Sequence, residues 1–284
     1  MKKIMMAMSA AFMLTACSSD PSEVLVQTTT PTDTMKAVTI NFSFPQVTME
    51  AMTRGSLSDA NMTDLWLFDF MGDELQQTIH QSSTDDGFGS VSVTAETGSH
   101  VFCFIASRGT NPAVNDGEIV WEKPSDTFWQ NVILNVTPQT ATAQSVELQR
   151  VATRLRISIT DEVPATLSKL SVVTDTWYCG LNALTGEPTI ATSRAATINV
   201  PASYVGTTGQ LTASIFGLCA DDYTTNVNVT AINAQNATIA SVSLEDVPMS
   251  RNVTTQFSGP LFTRQPPFSF TTADAWGDDV MMTW

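Results

Sequence analysis

The chain has 284 residues, 43% of them hydrophobic, and sets 13 Lys and Arg against 28 Asp and Glu for a formal net charge of −15. So acidic a chain has little with which to neutralise a phosphate backbone, which excludes nucleic acid as a partner. The length suits two domains of modest size, and the wealth of Thr, Val, Ser and Ala without long Leu/Glu/Lys patterns favours strands over helices.

At the N-terminus, Lys2 and Lys3 precede an apolar run from Ile4 to Ala16. That run is too short to span a bilayer and has the proportions of a signal-peptide core. It ends in Leu14-Thr15-Ala16-Cys17, which resembles the lipobox of bacterial lipoproteins. The expectation is cleavage before Cys17, with residues 1–16 removed as a signal peptide and the cysteine acylated, palmitate included. Several acyl chains, each burying CH₂ groups at roughly 0.8 kcal/mol, make a stable anchor. Residues 17–36 are polar and rich in Thr and Pro, the composition of a flexible tether.

"KAVTINFSF" alternates strictly, with Val38, Ile40, Phe42 and Phe44 on one face and Thr39, Asn41 and Ser43 on the other. It predicts a half-buried strand, and Pro45 stops it. A connection follows that contains Arg54-Gly55, whose nearest basic neighbours are Lys36 and Arg108. In "TDLWLFDFMGDELQQTI", Trp66, Phe68 and Phe70 share one face and Leu65 and Leu67 the other, and Met71-Gly72-Asp73 turns the chain. "GSVSVTAETGSHVFCFIASRG" predicts two more strands, and "VFCFIA", apolar on both faces, a central one. "TNPAVNDGEIVWEKPSDTFWQ" is expected to be loop with at most a short helix. In "RVATRLRISI", Val151, Leu155, Ile157 and Ile159 face away from Arg150, Arg154 and Arg156; the arginine face is read as solvated and paired with carboxylates, with subunit docking as the alternative. From residue 165 onward a second series of short alternating segments follows, with "INAQNAT" as a hairpin tip. The expected fold is all-β: two tandem Greek-key-like β-sandwich domains, residues 37–149 and 150–284.

No pattern of catalytic chemistry is present. His80 and His100 have no spaced partners, and Cys103, Cys179 and Cys219 offer no metal-ligand spacing. Neither a phosphate loop nor a hydrolase motif occurs. "TDDGFGS" reads as a plain turn rather than a calcium loop. The expectation is a non-enzymatic protein with no catalytic residue, metal or cofactor. A Cys179–Cys219 disulfide remains open. Trp66 and Trp177 read as core, whereas Trp121 and Trp129, in polar surroundings, are candidates for stacking on sugars. They carry the alternative reading, a monomeric outer-membrane glycan-binding lipoprotein.

The ordered set of lipobox, alternating strand, "MTRG", "DLWLFDF", "HVFCFIASRG", "LQRVATRLRISITDEVP" and "VPMSRNVTTQFSGPLF" resembles the fimbrillin family of Bacteroidales, the subunits of type V pili. The resemblance implies two tandem β-sandwiches, export as a lipoprotein to the outer membrane, and a place in a cell-surface fimbrium as stalk, tip or anchor. It further implies cleavage after an arginine in the loop that follows the first strand. Arg54 matches that position, with Gly55 as the new N-terminus. The displaced strand would carry away Val38, Ile40, Phe42 and Phe44, and a strand from another subunit would fill the groove. Implied partners are other pilus subunits, the outer membrane through the lipid anchor, and a glycan or protein receptor on a host or bacterial cell. Candidate donor strands are "PFSFTTA" and the terminal "VMMTW".

Overall fold

The computed structural model describes residues 36–44, 62–263 and 269–273. Eighteen strands carry almost all of the ordered structure among these residues. The first ten are β1 (Val38–Ser43), β2 (Asp64–Met71), β3 (Glu74–Ser82), β4 (Ser90–Ala95), β5 (Gly98–Ser107), β6 (Thr110–Asn115), β7 (Glu118–Lys123), β8 (Thr127–Val136), β9 (Ala143–Ser145) and β10 (Gln149–Arg150). They are followed by β11 (Ala152–Ile159), β12 (Leu167–Asn182), β13 (Pro188–Asn199), β14 (Leu211–Leu218), β15 (Tyr223–Asn233), β16 (Thr238–Met249), β17 (Thr254–Gly259) and β18 (Ser269–Ala273).

A three-stranded sheet, β4-β1-β9, faces a five-stranded sheet, β10-β8-β5-β2-β3. Between them lies a core that includes Ile40, Phe42, Phe44, Leu65, Leu67, Val91, Val93, Phe102 and Phe104. A second sandwich packs β14-β11-β17-β18 against β16-β15-β12-β7-β6, with β13 paired to β12. Its core draws Leu155, Ile157 and Ile159 from β11, and Leu170, Val172 and Trp177 from β12. The outer face of the five-stranded sheet forms a third core: Trp66, Phe68, Phe70, Cys103 and Ile105 meet Ile119, Trp121, Leu181 and Leu218. This is why β2 and β5 are apolar on both faces, since each separates two cores.

Strand pairing crosses the boundary expected between residues 149 and 150. Hairpin β6–β7, on the N-terminal side of it, joins the second sandwich through Leu181↔Ile119 and Gly180↔Val120. The stretch expected to be loop is therefore a hairpin followed by β8. Its turn is Asp116-Gly117, with φ of 44° and 78°. Two adjacent positive φ values match the right-handed twist of the flanking strands, and Asp-Gly adopts them at little steric cost. The long β12 extends past its pairing with β15 and offers β7 a free edge. Cys103, Cys179 and Cys219 are all free thiols, so the Cys179–Cys219 bridge does not form.

Candidate strand-exchange site

The alternation of residues 38–44 produces the strand expected of it. Ile40, Phe42 and Phe44 are buried and Val38 is half-buried, while Thr39, Asn41 and Ser43 face outward. Inside, the Phe42 ring lies 5.1 Å from that of Phe102 and 4.8 Å from that of Phe104, and Phe44 lies 4.9 Å from Phe104, all tilted. Tilted pairs at these spacings add to area burial because ring edges meet ring faces.

The position of β1 in its sheet is the central geometric fact. Along one edge it pairs antiparallel with β4 from Val38↔Ala95 to Ser43↔Ser90. Along the other it runs parallel to β9, from Asn41↔Ala143 to Ser43↔Ser145. Asn41 N–H donates to Thr142 O at 2.8 Å, Val146 N–H to Ser43 O at 3.0 Å and Phe44 N–H to Gly89 O at 3.0 Å. Side chains reinforce both edges: Thr39 Oγ1 and Thr94 Oγ1 lie 3.2 Å apart, Ser92 Oγ donates to Asn41 Oδ1, and Ser43 Oγ to Gln144 O at 3.3 Å. Removal of β1 leaves a slot with two unpaired backbone edges and an apolar floor. Three fully buried side chains leave with it, each worth roughly 1.5–3 kcal/mol of burial. The rings that meet Phe42 and Phe44, those of Phe102 and Phe104, are apolar, so the slot suits a strand with alternating apolar side chains.

Of the other residues singled out in the sequence, Cys17, Arg54 and Gly55 lie outside the described residues. In the chain, Arg54 falls between the end of β1 at Ser43 and the start of β2 at Asp64. Within the candidate donor "PFSFTTA", β18 pairs antiparallel with β17, from Thr254↔Ala273 to Ser258↔Ser269, and so closes a sheet of its own chain. The terminal "VMMTW" lies outside the described residues.

The proposed sugar platform does not form. Trp121 is 1% exposed in the third core, because β7 turns it inward onto Trp66 with ring centroids 6.2 Å apart. Trp129 is half-buried: its Nε1–H donates to Ala183 O at 2.7 Å, and its ring lies where a side chain on Gly186 would have to be. Trp66 and Trp177 are core residues as expected. Among the arginines, Arg150 forms a two-point contact with Asp126, Nε to Oδ1 at 2.7 Å and Nη2 to Oδ2 at 3.0 Å, and reaches Asn252 Oδ1 at 3.0 Å. Arg154 Nε donates to Thr254 Oγ1 at 2.9 Å. Their work is to join neighbouring segments.

Residues 116–283 match the model of the family of unknown function DUF6562. The match begins at the β6–β7 turn and takes in β7, the first-sandwich strands β8, β9 and β10, and the strands from β11 onward. No curated protein matches the sequence. Among solved structures, a candidate adhesin from Bacteroides ovatus is 9% identical with a TM-score of 0.51, over 82% of this chain and 88% of that one. A candidate cell adhesion protein from Bacteroides uniformis is 14% identical with a TM-score of 0.50, over 86% of this chain and 99% of that one. The tip fimbrial protein Mfa3 from Porphyromonas gingivalis aligns at 11% identity and a TM-score of 0.43, over 84% of this chain and 99% of that one. The first two alignments show a shared fold, the all-β architecture that the fimbrillin resemblance implied.

Proposed function

This chain belongs to the DUF6562 family, and we propose that it is a structural subunit of a cell-surface pilus that supports adhesion. It is exported as a lipoprotein acylated at Cys17, cut after Arg54, and joined to its neighbours by strand addition. The observation that carries this reading is the place of β1. It is a central strand, paired on both edges and carrying core side chains, yet it is the first described strand of the chain and its only link to the rest runs through the connection that holds Arg54. One cut there separates the lipobox, the tether and β1 from everything downstream. An incoming strand with the same alternation restores both hydrogen-bonded edges and the apolar floor, which is recognition by strand addition. The shared fold with candidate adhesins supports a surface role.

Treatment of the purified full-length protein with an Arg-specific protease tests the reading. The expected products are a chain beginning at Gly55 and a ladder of stable oligomers, both lost in Arg54→Ala. Cleavage at Arg54 without any change in oligomeric state, or resistance at Arg54 under conditions that cut other loops, contradicts it.

A further inference from the structure

The two walls of the β1 slot are held differently. Among the described strands β9 pairs with β1 alone. So does β4, but its far edge is tied by side chains of the opposite sheet. Gln81 Nε2 donates to Ser90 O at 2.7 Å, and Gly89 N–H donates to Gln81 Oε1 at 3.2 Å. Four residues back along β3 and four forward along β4, Gln77 Nε2 donates to Thr94 O at 3.1 Å. The two glutamines thus run antiparallel to β4, in the manner of a ladder whose rungs are side chains. Between them Ile79 packs against the core.

Gln77 is itself aimed. Its Nε2 also donates to Asp69 Oδ2 at 3.0 Å, and Asp69 is 1% exposed. The other carboxylate oxygen lies 2.6 Å from His100 Nδ1, and the second ring nitrogen, Nε2, lies 2.9 Å from Glu96 O in the turn that leaves β4. A carbonyl oxygen can only accept, so Nε2 carries a proton and donates it. His100 is equally buried and stacks on Phe102 with ring centroids 5.4 Å apart. Side chains from β3 and β5 therefore grip the start, the end and the exit turn of β4, and Asp69 from β2 holds two of them in place. Buried polar networks with every member bonded rigidify the segments they join.

On the strand-addition reading, we propose that Gln77, Gln81, Asp69 and His100 form a stay that keeps β4 in place while β1 is absent. β4 is then the preformed wall on which an incoming strand registers, and β9 closes over it afterwards. These are positioning residues: their hydrogen bonds run to one another and to β4 with its flanking turns, and they act through β4.

The test uses the full-length chain with residues 51–57 replaced by the recognition sequence of a site-specific protease, so that β1 is freed whether or not Arg54 is a natural cleavage site. A fluorescent peptide of residues 36–44, added in excess after cleavage, reports strand uptake by anisotropy. In Gln81→Met the association rate is expected to fall about threefold, as the fraction of molecules with a ready wall falls. The dissociation rate and the melting temperature of the uncut chain should stay near wild type, since water replaces the amide at the Ser90 carbonyl and the Gly89 N–H. Adding Gln77→Met is expected to slow association to about a tenth of the wild-type rate, and it also lowers the melting temperature because buried Asp69 loses a donor. Unchanged association in both variants overturns the proposal. Association and uncut melting temperature falling together in Gln81→Met also overturns it, because that pattern marks general packing. If the wild-type protein takes up no peptide, strand addition itself falls and the stay falls with it.

Discussion

The two sandwiches repeat one arrangement of strands but fasten it differently. In the first, β1 is antiparallel to β4 and parallel to β9; in the second, β11 is antiparallel to β14 and parallel to β17. Both strands bury alternating apolar side chains, Ile40, Phe42 and Phe44 in one and Leu155, Ile157 and Ile159 in the other. Yet β11 is fastened at both ends. It follows directly on β10, where Arg150 is clamped to Asp126 and Asn252, and it leads to Asp161. The Asp161 carboxylate accepts N–H bonds from Leu261, Phe262 and Thr263 at 3.1, 2.6 and 2.9 Å. In addition, β17 is covered on its other edge by β18, whereas β9 has no second partner among the described strands. On the proposed function, the same strand position is permanent in one sandwich and separable in the other, and what differs is the fastening at the strand ends.

The comparison breaks most readily if β1 is taken away. A chain lacking residues 1–54 loses three fully buried side chains, about 5–9 kcal/mol by burial, against a whole-domain stability of about 5–15 kcal/mol. The expected outcome is loss of hydrogen-exchange protection in β4 and β5, restored by a peptide of residues 36–44. A cut engineered between β11 and β12 should release nothing. Full protection in the shortened chain without peptide would remove the distinction between the two strands.

Single substitutions sharpen the comparison. Phe42→Ala is expected to cost about 3–5 kcal/mol and Ile157→Ala about 2–5 kcal/mol in denaturant unfolding. After cleavage only the first should speed exchange of β1 for free peptide. Asp161→Ala removes the acceptor of three backbone N–H groups and is expected to cost about 2 kcal/mol. It should raise hydrogen exchange at residues 261–263 and leave β1 exchange unaltered.

The smallest effect concerns the thiols. Burial, with a smaller contribution from Asp69, pushes Cys103 up to about 12, and burial followed by Asp222 does the same for Cys219. Half-buried Cys179 is raised as well, by burial first. For a group raised in the folded state, its contribution to stability is complete below the unfolded value near 9 and is lost as the pH climbs toward 12. A thiol reagent at pH 8 should therefore spare Cys103 and Cys219 in the native protein and modify Cys179 slowly, Cys17 aside. Alkaline unfolding should begin to gain on the fold only above about pH 9.

Much of this was legible in the residues, and where it was not the reason is physical. Strict alternation located β1 and its inward face, and apolarity on both faces marked β5 as central. The Asp116-Gly117 turn was a readable hairpin signal, but Pro112 and the polar flanks of β6 made the stretch resemble a loop. Trp121 reads as exposed for the same reason: polar neighbours along the chain say nothing of a partner sheet brought over from β2 and β5. That β7 pairs with β12 depends on partners as far apart in the chain as Glu118 and Asn182, which local pattern does not carry. The glutamines of β3 gave no signal at all, because an inward-facing amide on an edge strand is unremarkable until β4 is seen beside it.

The most direct measurement is the N-terminal residue of the protein recovered from the surface of cells that make it, taken from the polymeric fraction. Gly55 is the expected result, meaning that lipid anchor and first strand have been removed together and a strand from another subunit fills the slot. An acylated Cys17 at the head of every polymerised chain, with β1 still in place, would contradict it.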